Sequence, residues 1–399
     1  MSEAVHRPHG EQDWRYNREI AQEIPFPEFW TLELAQKWAS EIPEGIEHEG
    51  HESPLVELDL TKEGYGIVFI KNEADRSVNP TGTMKDRIGR SCAAEYRYDA
   101  KQALEFRNND PVYAKRFPEI RIPRYSMLTA GNAGMALTKT FETLDLPPPK
   151  LLIDIHADQK TINKLKKTRA DIYLVDLSTN PFSGRTSTDS PLTKDEILAL
   201  TNNGFGTDLT SNNSFQDDNP HITFYHNLAT QIFSEKPDEI YVPYGSGALF
   251  GEILARQRLG GPLILSGRKM TAEERAQTAK QIYSIKLFGA EPENSSSVAD
   301  KLSAPAKPFP TMWEKEMDWY KTEGQTNTET GIIKISENEI LAGYELLKKT
   351  GQGKGIETEP SGSAGLALYM RRWEKGKIKK DAKVIIVNTG KGIISDTKK

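Results

Sequence analysis

Short apolar runs recur along the chain: residues 66–71 (GIVFIK), 151–156 (LLIDIH), 171–177 (DIYLVDL), 239–245 (EIYVPYG), 285–291 (IKLFGAE) and 384–390 (VIIVNTG). They are rich in β-branched residues and most end at a glycine or polar residue, which predicts parallel strands buried on both faces. Helical spacing fills the gaps. The clearest case is residues 336–339 (SENE), a capping box followed by Ile340, Leu341, Tyr344 and Leu347 at spacings that share one helix face. Alternating strands and helices predict an α/β fold, with mostly parallel sheets flanked by helices.

Residues 1–52 are polar and punctuated by Pro25, Pro27 and Pro43, and read as an N-terminal extension that packs on a core rather than forming one. The remaining chain suits two lobes, 53–230 and 231–399, at the usual size of about 150 residues per domain. Two stretches break the pattern. Residues 178–220 are crowded with Ser, Thr, Asn and Asp, and residues 293–330 with Ser, Pro and Thr, so both read as long loops or lid insertions. No period of 20–50 residues recurs, which excludes a solenoid.

Composition removes several classes of function. Lys+Arg 52 against Asp+Glu 57 leaves a net charge of −5 with the basic residues scattered, so no nucleic-acid partner is expected. With 37% apolar residues, a mean hydropathy of −0.60 and no apolar run near the roughly 18 residues of a span, no membrane partner is expected either. The first twenty residues lack the apolar core of a secretory signal, which predicts a cytoplasmic protein. Cys92 is the single cysteine, excluding an intrachain disulfide, and reads as a small buried apolar residue. The seven histidines (6, 9, 48, 51, 156, 221, 226) show no ligand spacing on one helix face, so no metal is expected.

Four segments place glycines or small polar residues where a strand feeds a helix or loop, and at the carboxyl ends of a parallel sheet they can converge on one crevice. The first is Asn79-Pro80-Thr81-Gly82-Thr83-Met84-Lys85-Asp86-Arg87, a turn opening a helix. A lysine there, partly desolvated and repelled by the positive end of the helix dipole, has its amine made available for Schiff-base chemistry. The second is Thr129, Ala130, Gly131, Asn132 and Ala133, a helix start whose amides suit a carboxylate and whose Asn can donate to a ring oxygen. The third is Gly245, Ser246, Gly247, Ala248 and Leu249, an anion nest. Its G-x-G-x-x-x-G spacing through Gly251 fits neither a dinucleotide fingerprint nor a P-loop, and a small phosphate suits it better than NAD or ATP. The fourth is Asn388-Thr389-Gly390-Lys391-Gly392, where Thr389 presents a neutral hydroxyl.

In this order the four segments resemble the fold type II pyridoxal-phosphate enzymes, the tryptophan synthase β superfamily, over roughly residues 53–396. The resemblance implies a two-lobed fold and pyridoxal 5'-phosphate as cofactor. Lys85 matches the family's Schiff-base lysine in its N-P-[TS]-G-S-x-K-D-R motif, with Thr83 for Ser. It further implies that Asn132 bonds the cofactor's 3′-oxygen, that Thr129 to Ala133 hold the substrate carboxylate, that Gly245 to Leu249 hold the phosphate, and that Thr389 faces the pyridine nitrogen. The first lobe thus carries the lysine and carboxylate loop, the second the phosphate loop and Thr389. Gly289-Ala290-Glu291-Pro292 and Glu359-Pro360-Ser361-Gly362-Ser363-Ala364 match two further family motifs. Ala248 and Leu249 depart from the usual Gly and Thr or Asn, which removes one side-chain bond to phosphate, and the charged stretch 97–125 lengthens the interval from Lys85 to Asn132.

Within the superfamily the local motifs are most similar to threonine synthases, through N-P-T-G-x-x-K-D-R, G-N-A and the ending Thr389-Gly390-Lys391-Gly392-Ile393. Cysteine synthases come next and serine/threonine dehydratases third, since no His follows Asn132. The resemblance implies a small amino-acid substrate, a homodimer, and Lys85 as the base that removes the α-proton. A neutral Thr389 leaves the pyridine nitrogen unprotonated, which favours elimination and replacement, by a lyase or transferase, over transamination. A binding protein for the cofactor or an amino acid, without catalysis, is the reading from a different class.

Overall fold

The structure, a computed structural model, describes residues 26–46, 52–185, 190, 192–210, 224–258, 271–294, 297–299, 302 and 310–392, with the side chains of 310–315 excepted. Most of the extension 1–52, His6, His9, His48, His51, His221, Ile393 and parts of 178–220 and 293–330 lie outside these residues.

Among the described residues the strands are β1 (Leu55–Asp59), β2 (Ile67–Asn72), β3 (Tyr125–Leu128), β4 (Lys150–Asp154), β5 (Asp171–Val175), β6 (Thr207–Asp208), β7 (Glu239–Pro243), β8 (Lys286–Pro292), β9 (Gly331–Ile335) and β10 (Val384–Asn388). The α-helices are α1 (Leu32–Glu41), α2 (Asp86–Asn109), α3 (Pro111–Arg116), α4 (Asn132–Thr143), α5 (Gln159–Leu165), α6 (Lys194–Leu200), α7 (His226–Ser234), α8 (Ala248–Arg258), α9 (Ala272–Ser284), α10 (Pro310–Thr322), α11 (Glu337–Gly351) and α12 (Pro360–Glu374). All six apolar runs form strands. The fold is α/β, as the alternation of patterns predicts.

The chain divides into two compact units. One comprises residues 1–49, 85–222 and 305–308. Its sheet has the order β5-β4-β3-β6, all parallel. Here α1 packs on α2 through Trp38, whose ring lies 5.1 Å from that of Tyr96, and Tyr96 in turn meets Phe141 of α4 at 5.7 Å. These fully buried aromatics bind the α1 segment to the core.

The other unit comprises residues 50–84, 223–304 and 309–399. Its six-stranded sheet has the order β1-β2-β10-β7-β8-β9, parallel except for the antiparallel edge pair β1 and β2. All five residues of β10 and of β7 are buried, as expected for central parallel strands. The capping box at Ser336 forms, yet the buried face of α11 runs through Ile340, Gly343, Leu346 and Leu347, and Leu341 is 38% exposed. The close approach decides this: Gly343 lies against Ala367 of α12, so the face centred on Gly343 turns inward and Leu341 turns out.

The polar stretches are not wholly loops. Residues 178–220 contain α6, started by a Thr193–Glu196 capping box over the buried Ile197 and Leu200, together with the short β6. Residues 293–330 contain α10. The interval 97–125 is helical as far as Glu119, since α2 runs on to Asn109, α3 follows, capped by Asp110, and a 3-10 turn closes it. Cys92 is buried on α2, and burial pushes its thiol well above the usual range.

Asp99 gives a pH test of this packing. Burial, reinforced by the Glu95 carboxylate one turn away, raises its carboxyl from the ordinary 3.8 to about 7. The folded state therefore holds a proton that the unfolded chain releases, so stability falls as pH rises from about 4 to about 7. Asp99→Asn is expected to melt like the parent near pH 4 and above it at pH 8. Identical pH slopes for the two proteins would contradict the burial of this carboxyl.

Candidate active site

Three candidate segments leave the carboxyl ends of the neighbouring parallel strands β2, β10 and β7. This is where a ligand crevice forms in such sheets. After β2 the chain makes a buried turn. Asn79, fully buried, donates to the Glu73 carbonyl at 2.9 Å and to its carboxylate at 3.0 Å, and the Gly82 amide donates to the Asn79 carbonyl at 2.7 Å.

The turn is then stitched to the segment following β10. Met84 N donates to the Thr389 carbonyl at 3.0 Å, Lys391 N donates to the Gly82 carbonyl at 3.1 Å, and Thr83 and Gly390 form an antiparallel bridge. Gly390 has φ +152°, and a Cβ there would lie 2.8 Å from the Thr83 Cβ, so only glycine allows the contact. Lys85 follows at once as the N-cap of α2, with helical backbone and no side-chain capping bond.

Thr389 is partly exposed, and its hydroxyl has no hydrogen-bond partner among the described residues. Beside it, Asn388 is fully buried, donating to Asn72 Oδ1 at 3.0 Å and to the Glu357 carbonyl at 2.8 Å and accepting from Thr358 Oγ1 at 2.9 Å. The Glu359 amide at the head of α12 donates to the Gly390 carbonyl at 3.1 Å. The buried Asn388 network had a sequence signal only in the polar residue that ends an otherwise apolar strand.

At the end of β7 the Tyr244 amide pairs with the Ala290 carbonyl at 2.8 Å, and the chain bends through Gly245, Ser246 and Gly247 into α8. Gly247 has φ +83° and its carbonyl accepts the first helical bond, from Gly251, at 2.8 Å. The amides of Ser246, Gly247, Ala248 and Leu249 have no acceptor among the described residues. Such a row of donors at a helix N-terminus is a cradle for an anion. Leu249 is 3% exposed and belongs to the core, so at this position the chain contributes a backbone donor and no polar side chain.

The fourth segment belongs to the other unit and joins β3 to α4. Thr129 Oγ1 accepts from the amides of Gly131 and Gly134, both at 3.1 Å, and the Met135 amide donates to the Gly131 carbonyl at 2.9 Å. Ala130 and Ala133 are partly exposed, and the Ala133 amide is left without an acceptor among the described residues. Asn132 opens α4 at 9% exposure. Gly131 has φ +127°, and a Cβ there would sit 2.6 Å from Thr161 Cγ2 of α5.

One cluster had no sequence signal. Asp154, His156 and Asp176 each bring a ligand atom within 4.8 Å of the others at the ends of β4 and β5, with His156 Nε2 3.5 Å from Asp176 Oδ1. Spacing along one helix cannot reveal a group assembled from two strand ends. His156 and Asp176 are exposed, and acidic groups gather at such ends without a metal.

Residues 46–390 match the family profile described as pyridoxal-phosphate dependent enzyme. Over 74 residues the chain is 39% identical to a threonine synthase of Bacillus sp. (strain ULM1), a match covering 18% of this chain and 20% of that relative's length. Its fold is shared with O-ureido-L-serine synthase (TM-score 0.55, 14% identity, 88% of this chain and 93% of that one). It is also shared with the diaminopropionate ammonia lyase of Escherichia coli (TM-score 0.55, 16% identity, 94% and 92%). At these identities the likeness is one of fold. Among the described residues no helix is long and apolar enough to cross a membrane.

The Gly131 geometry yields a direct test. Gly131→Ala is expected to cost about 2–3 kcal/mol, from positive φ and the collision with Thr161. Adding Thr161→Ala should recover the collision share alone, as read by denaturant unfolding. A neutral Gly131→Ala would show that this turn is not built as described.

Proposed function

We propose that this chain, which belongs to the family of pyridoxal-phosphate dependent enzymes, removes a leaving group from the β or γ carbon of a small amino acid and adds a nucleophile in its place. The observation that carries the reading is Thr389: a neutral hydroxyl without a protein partner among the described residues, just past the end of the strand between the one leading to Lys85 and the one leading to the phosphate cradle. The residues fit the cofactor. The amides of residues 246–249 suit its phosphate, and the Thr389 hydroxyl suits an unprotonated ring nitrogen.

The bound cofactor supplies an electron sink for charge developing at the substrate's α-carbon. Lys85 would hold it through Nζ, and the same nitrogen, as a free amine, would take the α-proton. Asn132 bonds the ring oxygen, and residues 129–133 take the substrate carboxylate, with the Ala133 amide as a ready donor. Thr129 acts indirectly here, because its hydroxyl accepts the Gly131 and Gly134 amides and so holds the turn. Thr389 donates to the ring nitrogen and, unlike an aspartate, cannot stabilise a proton there, which weakens the sink and favours loss of a leaving group over amino transfer.

A threonine synthase-like reaction, with phosphate as leaving group and water as nucleophile, has the support of the local identity and the Thr389-Gly390-Lys391-Gly392 ending. Borohydride reduction followed by peptide mapping is expected to leave the pyridoxyl label on Lys85. A panel of O-phosphohomoserine, O-acetylserine, O-phosphoserine, serine and threonine should give leaving-group release, with phosphate from O-phosphohomoserine the fastest. A label on another lysine, or efficient amino transfer without release, would overturn the assignment.

A further inference from the structure

We propose that Lys391 is a positioning residue for Lys85, acting as a strap across the turn that presents it; this rests on the reading that Lys85 carries the cofactor. Lys391 stands between Gly390 and Gly392, both at positive φ (+152° and +75°), so the chain turns on either side of it. Its amide is bound to the Gly82 carbonyl. Its methylenes lie over Gly82: a Cβ on that glycine would meet Lys391 Cε at 3.2 Å, Cγ at 3.3 Å and Cδ at 3.5 Å. Beyond Gly82 the ammonium reaches the Glu357 carboxylate at 2.7 Å.

The side chain of Lys391 is 13% exposed, which separates it from an ordinary solvated lysine, whereas that of Glu357 is 59% exposed. An ion pair with so open a carboxylate is weak. Its effect is directional: it draws the methylenes flat across a glycine that has no side chain to cover itself. Both ends of the strap share one support. Asn388 Nδ2 donates to the Glu357 carbonyl, and Lys391 lies three residues after Asn388. Gly82 lies three residues before Lys85, inside the stitched turn, so looseness at Gly82 passes along the chain to the lysine.

The test uses the full chain with Lys391→Ala, Lys391→Met and Glu357→Gln. Cofactor-free protein is titrated with pyridoxal phosphate by absorbance, the pH midpoint of the visible band is measured, kcat and KM are separated, and melting of the cofactor-free proteins controls for folding. Lys391→Ala should weaken cofactor binding about tenfold. Its band midpoint should move by about half a pH unit or more. Lys391→Met, which keeps an unbranched apolar chain of similar reach over Gly82, should recover most of the loss, and Glu357→Gln should move both readings in the same direction by less. If Lys391→Ala does not fold, Glu357→Gln decides. Parent-like binding and midpoint in Lys391→Ala or, where that variant does not fold, in Glu357→Gln, or a lowered melting temperature with both readings unchanged, overturns the inference. With the borohydride label on Lys85 in the parent, either result sinks the strap alone; a label elsewhere sinks the underlying reading and the strap with it.

Discussion

The short antiparallel ladder between Gly82–Met84 and Thr389–Lys391 is the contact on which the candidate site depends. Two backbone hydrogen bonds, at 3.0 and 3.1 Å, form the antiparallel bridge of Thr83 with Gly390 and fix the turn before Lys85 to the segment that carries Thr389. The two stretches are about 300 residues apart in sequence, so closing the contact costs chain entropy that local propensity cannot offset. The sheet meets that cost. Because β2 and β10 already lie side by side in parallel, only the turn of residues 73–81 has to reverse the chain for Gly82–Met84 to run antiparallel to Thr389–Lys391.

Two features keep the ladder in place. Gly390 admits the approach of Thr83, which any Cβ would block. Behind it, Asn388 satisfies its side chain through Asn72, Thr358 and the Glu357 backbone. A buried amide left without partners would cost about 1–3 kcal/mol, so this network favours one arrangement of the ends of β2 and β10 and the segment before α12. The Glu359 amide on the Gly390 carbonyl extends the same segment to the head of α12. The Gly245–Leu249 turn follows β7, the other neighbour of β10, and so is set against the same strand.

Sequence made much of this legible, for physical reasons that differ by residue. The central strands are visible because burial on both faces leaves no choice but continuous apolar residues, as in β7 and β10. The edge strands β1 and β9 and the short β3 carry weaker signals: half-buried LVELD and GIIKI satisfy an edge without such a run. Residues 97–125 look charged because α2 and α3 expose much of their surface, which composition does not distinguish from a loop. Leu341 has the right spacing but the wrong side of α11, since the contact of Gly343 with Ala367 sets the rotation. The segments around Lys85, Gly245–Leu249 and Thr389 stand out in the sequence because each sets glycines or small polar residues at fixed spacing after an apolar run. Lys391 and Glu357 were not, because their pairing exists only once the ladder has formed.

The central claim is that the turn before Lys85 and the segment bearing Thr389 are one structural element. Amide hydrogen exchange of the cofactor-free parent, resolved at Met84 and Lys391, tests it directly, since both amides are donors in the ladder. The account predicts that the two exchange with matching protection and lose it together as denaturant is added. Fast exchange at Lys391 beside a protected Met84, or separate transitions for the two, would contradict it.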